Sequence, residues 1–135
     1  MAPSVVSNHN YPGYEALGDV FNISAAVSIP ASSRIVATSG QIGSETPNSV
    51  TPYSPSHEVQ FEIAMQNIEK SLAAASPHIS DVRELWEGVY NVTSFHVGVM
   101  THDEQQQIGA IARKYFGKNK PAWAAINVLA LFPPG

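Results

Sequence analysis

A long apolar stripe at helical spacing stands in the middle of the chain. Its members recur every three or four residues and comprise Phe61, Ala64, Ile68, Leu72 and Ala75. Side chains at this spacing share one face of an α-helix. We therefore predict a helix over residues 55–75. Ser54 suits its N-cap, Pro55 its first helical position and Glu58 its first turn.

A second helix is predicted from the residues that mark its two ends. Thr101 and Glu104 fit a capping box, in which each side chain bonds to the other residue's backbone N–H. Gly117 supplies the stop, and the preceding Arg113 and Lys114 suit the negative end of the helix dipole. The apolar face of this helix consists of Ile108, Ile111, Ala112, Tyr115 and Phe116.

The remaining apolar segments show the short patterns typical of strands. Residues 17–29 predict one or two short strands, and residues 34–39 predict a clearer one. Residues 81–99 predict a strand-rich stretch with Gly88 as a bulge or kink. Residues 121–132 are apolar on both faces, which predicts a last strand covered by helices on one side and by another subunit on the other.

The order of these elements predicts one α+β domain over residues 1–135. Residues 1–15 carry two prolines, a glycine and several small polar residues, so we expect a surface arm there. Residues 44–56 hold three prolines among Ser, Thr and Asn and predict a loop.

Charge and composition narrow the range of functions. Seven Lys and Arg against eleven Asp and Glu give a net charge of −4, which argues against nucleic acid or an anionic membrane as a partner. The absence of cysteine excludes disulfides, thiolate nucleophiles and cysteine-ligated metal sites. No stretch approaches the ~18 apolar residues of a membrane span, and the N-terminus lacks a secretory-signal pattern. We therefore expect a cytoplasmic protein.

Two groups of residues resemble the Rid family of reactive imine and enamine deaminases, formerly labelled endoribonuclease L-PSP. The first group is Ser39-Gly40-Gln41-Ile42-Gly43 after a short strand, with Asp81-Val82 following the next helix. The second is Tyr115-Phe116, followed by Pro121-Ala122 and a strand that reaches residues 131–135. The likeness runs from about residue 17 to the end of the sequence.

The resemblance implies a chorismate-mutase-like fold, in which a mixed sheet carries two helices on one face. Three such subunits would form a barrel-like homotrimer with clefts between them. The resemblance also implies hydrolysis of reactive imines or enamines without a metal or cofactor. In the family, an arginine after the Pro-Ala step grips the substrate carboxylate, and a C-terminal glutamate positions the attacking water.

This chain departs from the family pattern at the residues of that site. Trp123 occupies the arginine position, and an indole offers one N–H donor instead of the five of a guanidinium. Gly109 stands near the family's asparagine, and Ala26 stands near its tyrosine. The family's acidic strand is expected after Gly135, where this sequence ends. We therefore expect a substrate without a simple carboxylate.

The first candidate ligand contacts lie at the matching family positions. Ser39, Gly40 and Gln41 would line the cleft, or would instead form a strand-end turn that satisfies local backbone groups. Trp123 would provide a flat wall for an apolar or aromatic ligand, or would instead pack in the core or at a subunit interface.

Polar residues of the predicted strands supply the other candidates. Glu84 and Glu87 lie near aromatic residues, where a carboxylate removed from water can act as general acid or base; the alternative is an outward orientation. Tyr90 and Asn127 complete the substrate contacts, although Asn127 could instead bond across a subunit interface. The five histidines lack the spacing of a metal site, and among them His96 is a candidate base.

Two function hypotheses remain open. The first is an enzyme that acts on a small reactive intermediate in an intersubunit cleft, by imine or enamine hydrolysis or by a specialised-metabolism step such as cyclisation or tautomerisation. The second is a catalytically silent trimer that binds a small ligand or a protein.

Overall fold

The computed structural model describes residues 6–43 and 56–131, and this part of the chain forms eight elements. In chain order they are β1 (Ser7–His9), α1 (Glu15–Phe21), β2 (Ala26–Ser28), α2 (His57–Ala75), α3 (Val82–Glu87), β3 (Asn91–Val97), α4 (His102–Phe116) and β4 (Ala122–Val128). The α+β class predicted from the sequence is confirmed.

The strands form two separate two-stranded sheets in the described residues, rather than one mixed sheet. β1 pairs with β2 in antiparallel fashion, with Ser7 opposite Ser28. β3 pairs with β4 in parallel, with Asn91 opposite Ala122 and Val97 opposite Val128. Parallel neighbours require a crossover connection, and α4 provides it.

The core lies between three helices and one face of the β3–β4 sheet. Its buried centre is formed by Met65 of α2, Trp86 of α3, and Ala112 and Phe116 of α4, and Trp123 of β4 packs against this centre. Trp86 meets the edge of Phe116 with ring centroids 5.5 Å apart. The two helices predicted from apolar stripes thus cover the same face of the sheet.

The sequence signals at the ends of α4 are confirmed in detail. Thr101 Oγ1 accepts a hydrogen bond from the Glu104 backbone N–H at 3.1 Å, and Glu104 Oε2 accepts one from the Thr101 N–H at 2.8 Å. Gly117 follows the helix with φ +61°, a conformation that favours glycine. α2 ends at Ala75 as predicted but begins at His57 with Ser56 as its N-cap. The predicted cap Ser54 lies outside the described residues.

The strands predicted over residues 17–29 are wrong for their first half, which is helical. Leu17, Val20 and Phe21 recur at helical spacing and belong to α1, which ends where Asn22 adopts the left-handed conformation with φ 57°. Only residues 26–28 form a strand, and its partner β1 lies in the segment predicted as an arm. The predicted arm therefore contributes strand β1 to a two-stranded antiparallel sheet.

The predicted strand over residues 34–39 is also wrong. These residues belong to neither sheet. Arg34 instead donates to the carbonyl of Ala75 at the C-terminal end of α2, whereas Gly43 lies against Gln60 near its start. The segment therefore runs along α2, and its β-branched residues have no neighbouring strand with which to form a ladder in this part of the chain.

The first half of the stretch over residues 81–99 is a helix rather than a strand. Asp81 Oδ1 accepts a hydrogen bond from the Arg83 N–H at 3.0 Å and caps α3. Gly88, predicted as a bulge, is the C-cap of that helix. An aspartate N-cap followed by a short apolar turn outweighs the strand preference of the aromatic residues here.

One buried asparagine joins three parts of the fold. Asn119 Nδ2 donates to the carbonyls of Trp86 at 3.0 Å and Val89 at 2.7 Å. Its Oδ1 accepts from Asn8 Nδ2 of β1 at 3.2 Å. The N-terminal sheet is thereby fixed to the loop that precedes β4.

Within the described residues of the single chain, the β3–β4 sheet is covered on one face only. Phe95 and Ile126 alternate with the residues that face the helices and remain 54% and 42% exposed. The strand predicted to be covered on both sides therefore has an open apolar face, and it ends at Val128.

Candidate functional site

Trp123 points into the helix-covered side of the sheet. Its ring stacks on Phe61 of α2 at 6.0 Å with an interplanar angle of 11°, and meets Phe116 of α4 edge to face at 6.3 Å. Its Nε1–H donates to Ser94 Oγ at 2.8 Å. The single polar group of the indole is therefore engaged inside the subunit, which corresponds to the core-packing alternative for this residue.

A hydrogen-bond chain continues from Trp123 to a buried histidine. Ser94 Oγ lies 2.7 Å from Nε2 of His96, which is only 5% exposed. The His96 ring stacks near Phe61 at 6.3 Å and near His57 at 6.0 Å. Burial lowers the pKa of the His96 imidazole below its ordinary value, and the neighbouring His57 lowers it further.

Ser94 was not among the site residues predicted from the sequence, although His96 was. Val92, Ser94 and His96 alternate along β3, and side chains two residues apart share one face of a strand. The serine–histidine pair was therefore visible in the sequence, whereas the approach of Phe61 and His57 depends on how α2 packs.

The segment Ser39–Gln41 is largely exposed beside α2. Gln41 Nε2 reaches only the Ser39 carbonyl at 3.4 Å, a local contact of the kind the turn alternative describes. The next residues hold the segment in place, because the Ile42 carbonyl accepts from Asn67 Nδ2 at 3.1 Å. A Cβ on Gly43 would lie 2.6 Å from Gln60 Cα, so the close approach requires glycine.

Tyr90 and Asn127 lie at opposite ends of the β3–β4 sheet. The Tyr90 carbonyl accepts from the Ala122 N–H, where β4 begins, whereas Asn127 pairs in register with His96 near the other end. The six residues of strand from Tyr90 to His96 correspond to about 20 Å. The two side chains therefore do not meet around one small ligand within a single subunit.

Glu84 and Glu87 are exposed on α3, so the orientation predicted as the alternative is the one observed. The carboxylate that does contact an aromatic residue is Glu69 of α2, whose Oε1 accepts from Nε1 of the buried Trp86 at 2.8 Å. This contact was not predicted, because it joins residues 17 positions apart.

Other polar contacts close the outer side of the helix pair. Lys114 of α4 bonds to Glu62 of α2, and this partner raises the pKa of the lysine. A shallow groove of about 440 Å³ lies beside them, with Val59, Ile63 and Ile111 in its lining.

Neither a metal site nor a membrane-spanning helix is found in the described ranges 6–43 and 56–131. No group of three or more His, Asp or Glu side chains there has the arrangement of a metal site. No helix in these ranges is long and apolar enough to cross a membrane.

The chain matches a protein-family model and two solved structures. The family model, described as Endoribonuclease L-PSP, matches residues 19–135. No curated protein sequence matches the chain.

Two solved structures resemble this fold. One is a protein of unknown function of the conserved Rid protein family, YyfB from Yersinia pestis, with a TM-score of 0.71 at 19% identity over 94% of this chain and 88% of that one. The other is a "putative endoribonuclease" of Thermotoga maritima, with a TM-score of 0.54 at 25% identity over 72% of this chain and 71% of that one.

Proposed function

The chain belongs to the Endoribonuclease L-PSP family, which includes the Rid proteins, and from this premise we propose that it acts on a small reactive intermediate in a cleft between subunits. The reaction class is hydrolysis of an imine or enamine, or a related cyclisation or tautomerisation. In the hydrolytic case, water adds to the C=N carbon and the products are a carbonyl compound and ammonia or an amine.

The observation that carries the proposal is the open apolar face of the β3–β4 sheet. Phe95, Val97 and Ile126 are each more than two-fifths exposed on the side opposite the helices. Burial of such a face against a second copy is favourable by roughly 25 cal/mol per Å² of apolar surface. A homotrimer assembled through this face would create clefts at the ends of the sheet.

An assembly of this kind would also reconcile the positions of the candidate ligand contacts. Tyr90 and Asn127 are separated along one subunit, but opposite ends of neighbouring sheets meet at a subunit boundary. Asn127 is exposed at its end of the sheet. Together with the exposed segment Ser39–Gln41, it would offer hydrogen-bond donors and acceptors without a fixed charge.

The bonding and packing of Trp123 favour a substrate without a carboxylate. The family arginine is replaced by an indole whose N–H is bonded to Ser94. No guanidinium stands at this position to grip an anion, and Trp123 supports the cleft from beneath, through the core, rather than reaching the ligand. The specificity of the site would then depend on shape and neutral polar contacts.

The arrangement of the cations argues against the ribonuclease activity suggested by the family's name. All seven Lys and Arg lie in the described ranges, and five of them bond to acceptors of the protein itself. These five are Arg34 to Ala75, Arg83 to Asp81, Arg113 to Asp19, Lys114 to Glu62 and Lys120 to Asp19. A basic stripe that follows an RNA backbone would need cations directed to solvent. We expect weak RNA binding at physiological salt.

A second candidate function is a silent trimer that binds a ligand or a protein without turnover. The observation in its favour is the position of the two predicted catalytic carboxylates, since Glu84 and Glu87 face solvent on α3. Neither lies in the apolar surroundings that raise the pKa of a carboxyl group and make it a general acid near neutral pH.

The test is imine hydrolysis by the purified chain, with imines generated in situ from several amino acids and amines. Phe95→Glu should abolish turnover, because it places a charge on the face that builds the cleft. Val20→Glu is the matched control, since it places the same charge on an exposed apolar position of α1.

Turnover by the parent that is lost in Phe95→Glu and kept in Val20→Glu would support the enzyme proposal. Turnover that is equal in all three would contradict a cleft between subunits. A parent that is silent towards every imine but binds a small molecule stoichiometrically would favour the second candidate.

A further inference from the structure

His96 is the most deeply buried titratable side chain in the helix–sheet interface, and it terminates a directed hydrogen-bond chain. An indole N–H can only donate, so Ser94 Oγ accepts from Trp123. The serine hydroxyl proton is then available for His96 Nε2 at 2.7 Å. We assign the neutral ring the tautomer with its proton on Nδ1, so that Nε2 accepts and the hydrogen-bond chain ends there.

A proton added to Nε2 would disrupt this chain. Ser94 would face two donors, the indole N–H and the imidazolium N–H, and its own hydroxyl proton would need a new acceptor. The charged ring would also be held in a site that is almost closed to water, where a charge without a counter-ion is unfavourable.

Among the described residues, the groups around His96 offer no compensating negative charge. From α2, the titratable group that faces the ring is His57, which is stacked on it at 6.0 Å. The adjacent Glu58 is half-buried and bonds to Ser56 at the helix start. β3 presents Ser94, and β4 presents Trp123 and, at the register position, Asn127. α4 reaches the cluster through Phe116, which contacts the Trp123 ring.

The cluster also fixes the first turns of α2 to the sheet. His57 and Phe61 lie one turn apart on α2, and both rings pack on His96, while Phe61 also stacks on Trp123. On another side of the same turns, Gln60 lies in close contact with Gly43. A displacement of these turns would therefore also displace the segment 39–43, which contacts Gln60 through Gly43.

We propose that His96 is a proton-sensitive latch, which holds the first turns of α2 and the attached segment 39–43 on the sheet when neutral and releases them when protonated. The proposal does not depend on the chemistry assigned to the cleft. It concerns a local opening of the subunit that acid drives, with the rest of the core still in place.

The sign follows from proton linkage. The folded, closed form disfavours the charged ring, so the opened form binds more protons, and closure becomes weaker as the pH falls. The latch is fully effective above the ordinary histidine pKa of about 6.5 and is lost as the pH falls below it. For one proton, the ratio of open to closed form rises by up to about tenfold per pH unit in this window.

The experiment is amide hydrogen exchange of the full chain between pH 7.5 and 5.0, corrected for intrinsic exchange, with NMR titration of the histidine rings. We expect protection in residues 60–64 of α2 to fall by about tenfold per pH unit below about pH 6.5, while protection in α4 stays constant. His96→Gln keeps an acceptor for Ser94 but cannot become charged near neutral pH, so it should remove the effect. His78→Gln changes an exposed histidine and should leave the effect intact.

Two results would overturn the latch. One is equal pH dependence of exchange in α2 and α4 of the parent. The other is an unchanged dependence in His96→Gln. If that variant does not fold, the ring titration of the parent decides, because a His96 ring that titrates at or above the pKa of His78 would contradict the proposal.

Discussion

The two faces of the β3–β4 sheet are built from alternating residues of the same strands, but they differ in how complete they are. On the inner face, Ser94, His96 and Trp123 form a hydrogen-bonded and stacked cluster under α2. On the outer face, Phe95 stands between Ser94 and His96 in the sequence and pairs in register with Ile126, and both side chains remain about half exposed. The inner face is packed within the described residues of one chain, whereas the outer face leaves apolar side chains exposed.

The difference separates the family fold, which this chain has, from the chemistry that we propose for it. Trp123 stands where the resemblance implies a ligand-binding arginine, yet here it completes the core of the subunit. The outer face has the apolar character that the proposed assembly needs.

The largest loss of stability on the inner face is expected from Trp123→Ala. The change removes the stacking on Phe61 and the edge contact with Phe116, and leaves a cavity in the helix–sheet interface. Large-to-small core changes of this kind lower the free energy of unfolding by about 3–5 kcal/mol.

Urea unfolding measures this change, with Ile126→Ala on the outer face as the matched control. Ile126 is 42% exposed, so its truncation should lower the free energy of unfolding by a smaller amount when the proteins are compared as single subunits. An equal loss in the two variants would mean that the two faces do not differ as described.

A smaller effect is expected from Ser94→Ala. The change leaves the indole N–H of Trp123 and Nε2 of His96 without their shared partner. An unmade hydrogen bond of a buried group costs about 1–3 kcal/mol. Thr93→Ala, one residue away on the outer face, should have a smaller effect in the same thermal or urea unfolding measurement. A Thr93 variant less stable than the Ser94 variant would contradict the assignment of faces.

The parts of the fold that were predicted correctly are those whose signals are local. The capping box at Thr101 and the glycine stop at Gly117 define α4 within a few residues of sequence, and both are observed. The apolar stripe of α2 is likewise complete within one helix. Residues 34–39 show the opposite case, because a strand exists only if another strand pairs with it, and no local pattern reports that.

The candidate site divides along the same line. The alternation of Ser94 and His96 can be seen in the sequence, but the stacking of Phe61 and His57 on them depends on the packing of α2. The bond from Trp86 to Glu69 also joins two helices. For Glu84 and Glu87, the wrong prediction of a strand led us to expect an apolar environment. The segment is instead the short helix α3, on which both carboxylates are exposed.

The smallest effect on subunit stability, and the clearest on assembly, is expected from Phe95→Glu. The side chain is 54% exposed, so the free energy of unfolding of the isolated subunit should change by no more than about 1 kcal/mol. In an assembled protein, three buried carboxylates would face apolar surfaces and one another, which is strongly unfavourable. Analytical ultracentrifugation should therefore find the variant as a single 14.5 kDa chain at concentrations where the parent is larger.

Val20→Glu, on the exposed side of α1, should keep the mass of the parent. A parent that already sediments as one chain would remove the assembly through this face, and a Phe95→Glu variant with the parent's larger mass would show that the chains associate through some other surface.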